Sequence, residues 1–387
     1  MTFPGRELAA GLLGQNLSVV RNPFSYPYQA YTVGGYVYVI GSGLDSAAPA
    51  QPKSPSITYI NATTGLIEGW VDADPTFGVL TWAAVNGTDI WILGWTGGTG
   101  PSPGTNLLKF DTITKVLTLE ATFGSAPQGI AIHNGNIYIA GVNVSGTLIR
   151  VAISAPTIVL DFMNTASYDI FGAEAIFGLM IDPSTTTYGD GLGRVWWFRI
   201  GLSFIPSLLE RFPLTGFTGP DGVSINFIGV RSMVTYGATQ LLTCDSGSLS
   251  IVNASAQTVA ASNSIPFDET GHIMPDGSGE YIVIGTQLVG TDPGRHQLKV
   301  ARMNGTGTVS SSAVRDDSNG NDATAYNHPR VGAIAAGKYF ACAPTEIAGM
   351  AMPGNTGNVY TTPVAGTLSL TVVPDIAPPE VLWRTLG

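Results

Sequence analysis

The chain has 387 residues, 44% of them hydrophobic and only 11% charged, so it can bury a large core, and its 49 glycines and 25 prolines suit turns better than helices. A net charge of -10 sets the molecule as a whole against phosphate backbones, and no run of Lys and Arg reverses this locally, which excludes nucleic acid as an expected partner. Two cysteines exclude a disulfide-built extracellular scaffold, no segment reaches transmembrane length, and Met1 to Val20 lacks the basic start and unbroken apolar stretch of a signal peptide.

In chain order, residues 1–25 read as an N-terminal arm. A unit then recurs about seven times: apolar strand, tight polar turn, second strand with an aromatic or β-branched centre. The second strands begin at Tyr36, Asp89, Asn136, Arg194, Gln240, Glu280 and Lys338. The clearest copies are Tyr36-Val37-Tyr38-Val39-Ile40-Gly41 and Asp89-Ile90-Trp91-Ile92-Leu93-Gly94, and the weaker ones include Arg194-Val195-Trp196-Trp197-Phe198. A spacing of about 40 to 60 residues is that of a propeller blade and too long for most solenoid repeats.

The second unit shows the predicted blade in full. Gly78–Val85 is an inner strand, Asn86-Gly87-Thr88 a hairpin turn, and Asp89–Leu93 the next strand. Asn106–Phe110 and Val116–Leu119 form an outer hairpin. That outer hairpin recurs at Ile57–Ile60 with Asn61 to Gly65, at Leu148–Val151 with Ser154-Ala155-Pro156, and at Leu298–Ala301 with Asn304 to Gly307. The strands are nearly continuous in apolar residues, which fits sheets covered on both faces, and blades packed around an axis supply that cover. The expectation is an all-β, seven-bladed β-propeller of four-stranded antiparallel blades over 26–373, with a C-terminal tail at 374–387. A β-sandwich or jelly roll is the alternative, but needs no fixed period. The ring closes either through 367–373 or through Leu17-Ser18-Val19-Val20.

Val33-Gly34-Gly35-Tyr36-Val37-Tyr38-Val39-Ile40-Gly41 resembles the kelch, YVTN and NHL propeller repeats, and Ala126-Pro127-Gln128-Gly129-Ile130-Ala131-Ile132-His133-Asn134-Gly135-Asn136-Ile137-Tyr138 is similar to the latter two. The resemblance implies a fold and no chemistry, because the residues that carry it are a glycine turn and a packed strand. The kelch double glycine is missing from most copies, so kelch-type partners are not implied.

Loop length is the main functional signal. Residues 42–56, 95–105, 286–296 and 343–357 join second to third strands and 311–330 joins two blades, all opening on one face, whereas the hairpins of the opposite face are short except at 182–193. Long loops in a compact domain are usually functional, so the elaborated face is expected to bind, with Trp95, Thr96, Asp316, Asp317, Met350 and Met352 as candidate contacts. Asp316, Asp317, Asn319 and Asp322 form an oxygen-rich run that could ligate calcium, although its spacing is not that of an EF-hand; otherwise no cofactor is expected. Trp95 reads as either a stacking platform for a sugar ring or inter-blade packing.

Motifs for chemistry are lacking. His133, His272, His296 and His328 fall on different blades without metal-ligand spacing, and there is no nucleophile elbow, phosphate-cradling loop or sialidase-type Asp box. Asp72 and Asp74, or Asp182 and Asp190, could still pair as acid and base, but turn carboxylates are the plainer reading. Cys244 and Cys342 share a register two blades apart and read as buried free thiols. Six Asn-x-Ser/Thr sequons, at Asn16, Asn61, Asn86, Asn143, Asn253 and Asn304, are near chance.

The Gly, Thr, Ser and Ala-rich, charge-poor style resembles bacteriophage virion proteins, some of whose tail hub, nozzle and receptor-binding components are propellers. That resemblance implies a non-enzymatic structural protein of a phage particle, made in the host cytoplasm, contacting other virion proteins in a symmetric oligomer or a host-surface glycan, with no membrane insertion. The alternatives are a glycan- or protein-binding propeller module and a propeller carbohydrate-active enzyme.

Overall fold

The computed structural model describes residues 27–41, 55–96, 104–124, 126–142, 147–164, 175–200, 208–217, 221–224, 232–245, 247–256, 258–288, 296–315, 332–343, 346–347, 350–351 and 358–373. Blade 1 holds β1 (Pro27–Val33), β2 (Tyr36–Gly41), β3 (Ser56–Asn61) and β4 (Ile67–Asp72). Blade 2 holds β5 (Val79–Asn86), β6 (Asp89–Trp95), β7 (Thr105–Asp111) and β8 (Val116–Phe123), and blade 3 holds β9 (Ala126–His133), β10 (Asn136–Val142), β11 (Thr147–Ala152) and β12 (Ala155–Asn164). Blade 4 is β13 (Ala175–Asp182), β14 (Arg194–Ile200), β15 (Leu208–Pro213) and β16 (Asp221–Ser224); blade 5 is β17 (Ser232–Tyr236), β18 (Gln240–Asp245), β19 (Ser248–Asn253) and β20 (Thr258–Ser264). Blade 6 is β21 (Glu269–Pro275), β22 (Tyr281–Leu288), β23 (His296–Met303) and β24 (Val309–Val314). Blade 7 starts with β25 (Ala333–Ala335) and β26 (Lys338–Ala343), carries a ribbon of β27 (Glu346–Ile347) and β28 (Met350–Ala351), and ends with β29 (Asn358–Pro363) and β30 (Thr371–Val372).

Each blade is an antiparallel sheet of four strands in sequence order, so the protein is an all-β, seven-bladed propeller. All seven second strands fall where the repeat places them, including the irregular Arg194 copy, with Tyr281 one residue past the expected start. The loop limits move by a few residues. Trp95 and Thr105 pair at the ends of β6 and β7, Ser311–Val314 belong to β24, and Ala155 and Pro156 open β12 rather than sitting in a turn.

The two-faced second strand explains the near-continuous apolar pattern. In β2, Val37 and Val39 pack toward Phe340 and Cys342 of blade 7, while Tyr38 and Ile40 pack toward Ile90 and Ile92 of blade 2. The alternation repeats in blade 3, with Ile137 and Ile139 toward blade 2 and Tyr138 and Ala140 toward blade 4. Each of the seven core clusters spans one blade junction. The core is thus a ring of junctions, and a lone blade would leave both faces wet.

Among the described residues the ring closes by packing of blade 7 against blade 1. Val372 pairs with Tyr360 and Thr371 with Thr361, so 367–373 completes blade 7, while Leu17–Val20 lies outside the described residues. Neither Cys244 nor Cys342 is in a disulfide; both are buried, in different junctions, and burial pushes the Cys342 thiol up.

One face carries a repeated fastening. The residue after the third strand donates its N–H to the carbonyl of the first hairpin turn: Ala62 to Gly35, Thr112 to Thr88, Ile153 to Gly135, Leu214 to Gly193, Ala254 to Thr239 and Val364 to Gly337. Several outer turns open on an Asn or Asp whose Oδ1 accepts nearby amides: Asn61 from Thr63 and Thr64, Asp111 from Ile113 and Thr114, Asn253 from Ser255 and Ala256, and, in blade 6, Asn304 from Thr306 and Thr308. Three of the sequons, at Asn61, Asn253 and Asn304, are therefore turn chemistry, in which a short amide side chain replaces a backbone acceptor.

Candidate functional surface

The expected binding face is described chiefly at its base. Trp95 is half-buried at the end of β6, and Thr96 closes the following loop by donating both its N–H and Oγ1–H to the Gly104 carbonyl, each at 3.2 Å. That base is pinned against the junction segment before β5. A Cβ on Gly78, whose φ is +78°, would lie 2.2 Å from the Trp95 carbonyl oxygen, and one on Gly94 would lie 2.3 Å from that of Phe77. Only glycine allows so close an approach of two backbones. Asp74 caps the 3-10 turn Pro75–Phe77 through the Thr76 amide, and that hydrogen bond holds its carboxyl below the usual range. Asp316, Asp317, Asn319, Asp322, His328 and Met352 lie outside the described residues, and Met350 is placed only as backbone in β28. Among the described residues no group of three or more His, Cys, Asp or Glu could hold a metal ion.

The long hairpin 182–193 is a closed network on the opposite face, which sequence spacing had marked only as long. Asp182 accepts a 2.5 Å bond from the Tyr188 hydroxyl and a 2.9 Å bond from the Ser184 amide, and Trp196 Nε1 donates to the Tyr188 oxygen at 2.9 Å. Burial, then the Asp182 carboxylate, push the Tyr188 phenol up. Asp190 accepts from Arg194, which lowers its pKa, and the Arg194 and Arg211 guanidinium groups stack over Tyr188 at 4.6 and 5.1 Å. Arg211 also donates to the Ala254 carbonyl, so this network locks blade 4 to blade 5. Asp182 and Asp190 each serve a separate structural bond and do not form an acid–base pair with one another.

Around the channel, side chains cap the free edges of inner strands. Gln29 Oε1 accepts from the Ala83 amide at 2.8 Å, and the Tyr31 hydroxyl donates to the Ala83 carbonyl, so β1 satisfies both backbone groups of one residue of β5. Ser232 Oγ accepts from the Ile273 amide, and His272 Nδ1 accepts from the Gly332 amide at 3.3 Å. Burial holds the His272 imidazole neutral, with its pKa lowered to about 4. His272 is therefore a channel-edge acceptor, and His133 ends β9.

The surface that sequence reasoning missed is the rim. On β12, Ile158 is 58% exposed, Val159 43%, Leu160 45% and Phe162 59%; beside it, Ile113 is 73%, Val116 51% and Leu119 50% exposed. Leu66 and Trp70 extend the sector onto blade 1. The strand is also irregularly paired. In the β11–β12 pairing, Arg150 opposes Asp161, Val151 opposes Val159 and Ala152 opposes Ala155, so two register shifts leave 156–158 and Leu160 unpaired and splayed. The same β3–β4-type shift occurs at Tyr59/Ile60, Leu107/Leu108, Ile251/Val252 and Arg302/Met303, so the bulge belongs to the repeat, but among the described strands only β12 adds a second. The one sequence signal is the run Ile158-Val159-Leu160 in an outer strand, one side of which faces solvent.

Neither a family model nor a curated protein matches the sequence. Among solved structures the chain is similar to KlHsv2 with loop 6CD replaced by a Gly-Ser linker, with a TM-score of 0.51 at 10% identity over 90% of this chain and 99% of that one. A protein of unknown function from Bacteroides caccae has a TM-score of 0.47 at 14% identity over 74% of this chain and 95% of that one. The first likeness shows a shared fold, not a shared chemistry.

Proposed function

We propose that the protein is a non-enzymatic structural and interaction propeller, and that it serves in a bacteriophage particle as a tail component of hub, nozzle or receptor-binding type. The observation that carries the interaction reading is the apolar sector on the outer strands of blades 1 to 3. Folding does not require it, because blades 5 and 6 build the same positions from Thr-Val-Ala-Ala-Ser-Asn-Ser and Val-Ser-Ser-Ser-Ala-Val. Large contiguous apolar exposure on one sector marks a contact surface. The charged side chains of the blade 4 hairpin support the structural half of the reading, since their bonds go to turns and neighbouring blades. Placement in a particle rests on the Gly, Thr, Ser and Ala-rich, charge-poor composition.

The test is mass spectrometry of purified phage particles encoding this chain, together with a glycan turnover assay on the purified protein. The protein should be found in stoichiometric amounts in the particle and turn over no glycan. Its absence from particles would end the phage reading, and turnover abolished by a channel-side carboxylate substitution would end the non-enzymatic one.

A further inference from the structure

We infer that the apolar rim of blades 2 and 3 is a self-association surface, on which β12 and the neighbouring β8 of one copy pack against the same strands of a second copy about a two-fold axis near Leu160. This concerns the oligomer itself and stands whether or not the protein belongs to a particle.

Three observations choose a second copy over another occupant. The first is charge. The chain carries -10 overall, so two copies repel through most of their surfaces, yet the acids of the strip are offset by bases, Asp161 by Arg150 at 2.5 Å and Glu120 by the Lys109 ammonium across the β7–β8 pair. An oppositely charged partner would be recruited by acidic surface. A like-charged partner needs a sector from which net charge has been removed, and the like-charged partner that is always present is another copy.

The second is area. The exposed fractions on β12 correspond to roughly 400 Å² of apolar surface, and with Ile113, Val116 and Leu119 to about 700 Å², close to the roughly 800 Å² per partner of a standard interface. The third is pattern. An axis at Leu160 sets Ile158 against Phe162 of the second copy and Leu160 against itself, so the strip is complementary to its own reverse. The two register shifts bend the edge away from regular pairing, so the contact is side-chain packing rather than an added strand.

The experiment is sedimentation equilibrium of the full chain from 1 to about 100 μM in about 150 mM salt, on wild type, Phe162→Lys and Val259→Lys. Val259 is a 40% exposed apolar residue on the outer strand of blade 5 and controls for adding a lysine to an outer strand. Wild type should reach dimer within this range, Phe162→Lys should weaken association by at least about tenfold, and Val259→Lys should leave it unchanged. Leu160→Cys should form an intermolecular disulfide under mild oxidation, uncomplicated by Cys244 and Cys342, which are buried. Circular dichroism of each variant confirms folding, which an exposed substitution should not disturb. A wild type that stays monomeric at about 100 μM overturns the inference, as does a dimer that Phe162→Lys does not weaken or that Val259→Lys weakens equally.

Discussion

Lys115 sits where blade 1 puts glycine, and the cost and the compensation can both be read from the structure. The turn after β7 opens on Asp111, whose carbonyl accepts from the Lys115 amide at 2.9 Å; in blade 1 the same bond runs from Gly65 to Asn61 at 2.8 Å. Gly65 has φ +75° and Lys115 has φ +60°, so the lysine holds a left-handed conformation that costs an L-residue about 1 kcal/mol. Its ammonium lies 5.1, 4.7 and 4.6 Å from the ring centroids of Tyr36, Tyr38 and Tyr59, and donates to the Tyr38 hydroxyl at 2.5 Å and the Thr112 carbonyl at 2.7 Å. Cation–π contacts at half-buried sites and charge-assisted hydrogen bonds together contribute about 2–3 kcal/mol, well below their separate values because they share one ammonium. Lys115→Ala keeps the strain and loses the amine, so it should destabilise by about 2–3 kcal/mol; Lys115→Gly relieves the strain and should cost only about 1–2 kcal/mol. An unfolding entropy of about 2.1 cal/mol/K per residue scales to about 0.8 kcal/mol/K for 387 residues, so the alanine variant should lose about 3 °C in Tm by calorimetry. Alanine equal to or more stable than glycine, or both equal to wild type, would refute the argument that the tyrosine cage offsets the strain at this junction.

The channel edge and the loop base yield three more expectations. Because the unfolded imidazole binds its proton below about pH 6.5 and the folded His272 only near 4, the unfolded state takes up more protons between these values, and stability present above 6.5 is lost as pH falls toward 4. The loss should approach about 3 kcal/mol, and His272→Gln, which keeps an acceptor for Gly332, should lack that part of the slope in urea titrations at stepped pH. Gln29→Leu strands the Ala83 amide at a cost of about 1–3 kcal/mol, and hydrogen exchange at Ala83 should quicken while distant amides change only with global stability. Replacing 97–103 by Asn-Gly should leave stability within about 1 kcal/mol, because Trp95 and Thr105 already pair at the loop base; the same variant should bind or assemble less well if the loop face carries contacts, and a fully assembling variant would remove that role.

What could be read from the sequence was what repeats. Alternating residues of the second strand face opposite junctions, so Tyr38, Trp91, Tyr138 and Trp196 stand at one register, and the period follows from packing alone. Asn61, Asp111, Asn253 and Asn304 announced the outer turns by the same local chemistry. The rim was not legible for the converse reason. The outer side of a fourth strand carries no packing duty, so nothing in the repeat fixes whether it holds Ile158, Leu160 and Phe162 or the Ser and Thr of blades 5 and 6. Nor could spacing show that Gln29 and Tyr31 converge on Ala83, more than fifty positions away. Side chains that serve a neighbouring blade are fixed by ring geometry, which a single repeat does not contain.

That distinction sets where the molecule can vary. On the first-hairpin face, turns are tied to each other within blades, and junctions are crossed by Tyr138 to the Leu214 carbonyl, Arg211 to Ala254, Arg302 to Val364 and Gly366, and Lys338 to Thr63. These bonds use backbone carbonyls at fixed turn positions, so a longer or shorter turn there would misplace the acceptor and open a junction. The opposite face has its own repeated bond, from the residue after the fourth strand to a carbonyl near the start of the third, as in Ala73 to Pro55, Ile265 to Gly247 and Arg315 to Leu298, but it stays within a blade; at 96–104 the junction is held by backbone contact at the loop base. Length can therefore change above that base without loosening the ring. The outer strands are free in a different sense: their junction-facing side is set by packing, but the rim side has only water to satisfy, and blades 5 and 6 satisfy it mostly with Ser, Thr and Asn, leaving single valines such as Val259 and Val314 exposed. Four apolar side chains on β12 are a departure from what the ring demands, and a departure that costs solubility is retained where something covers it.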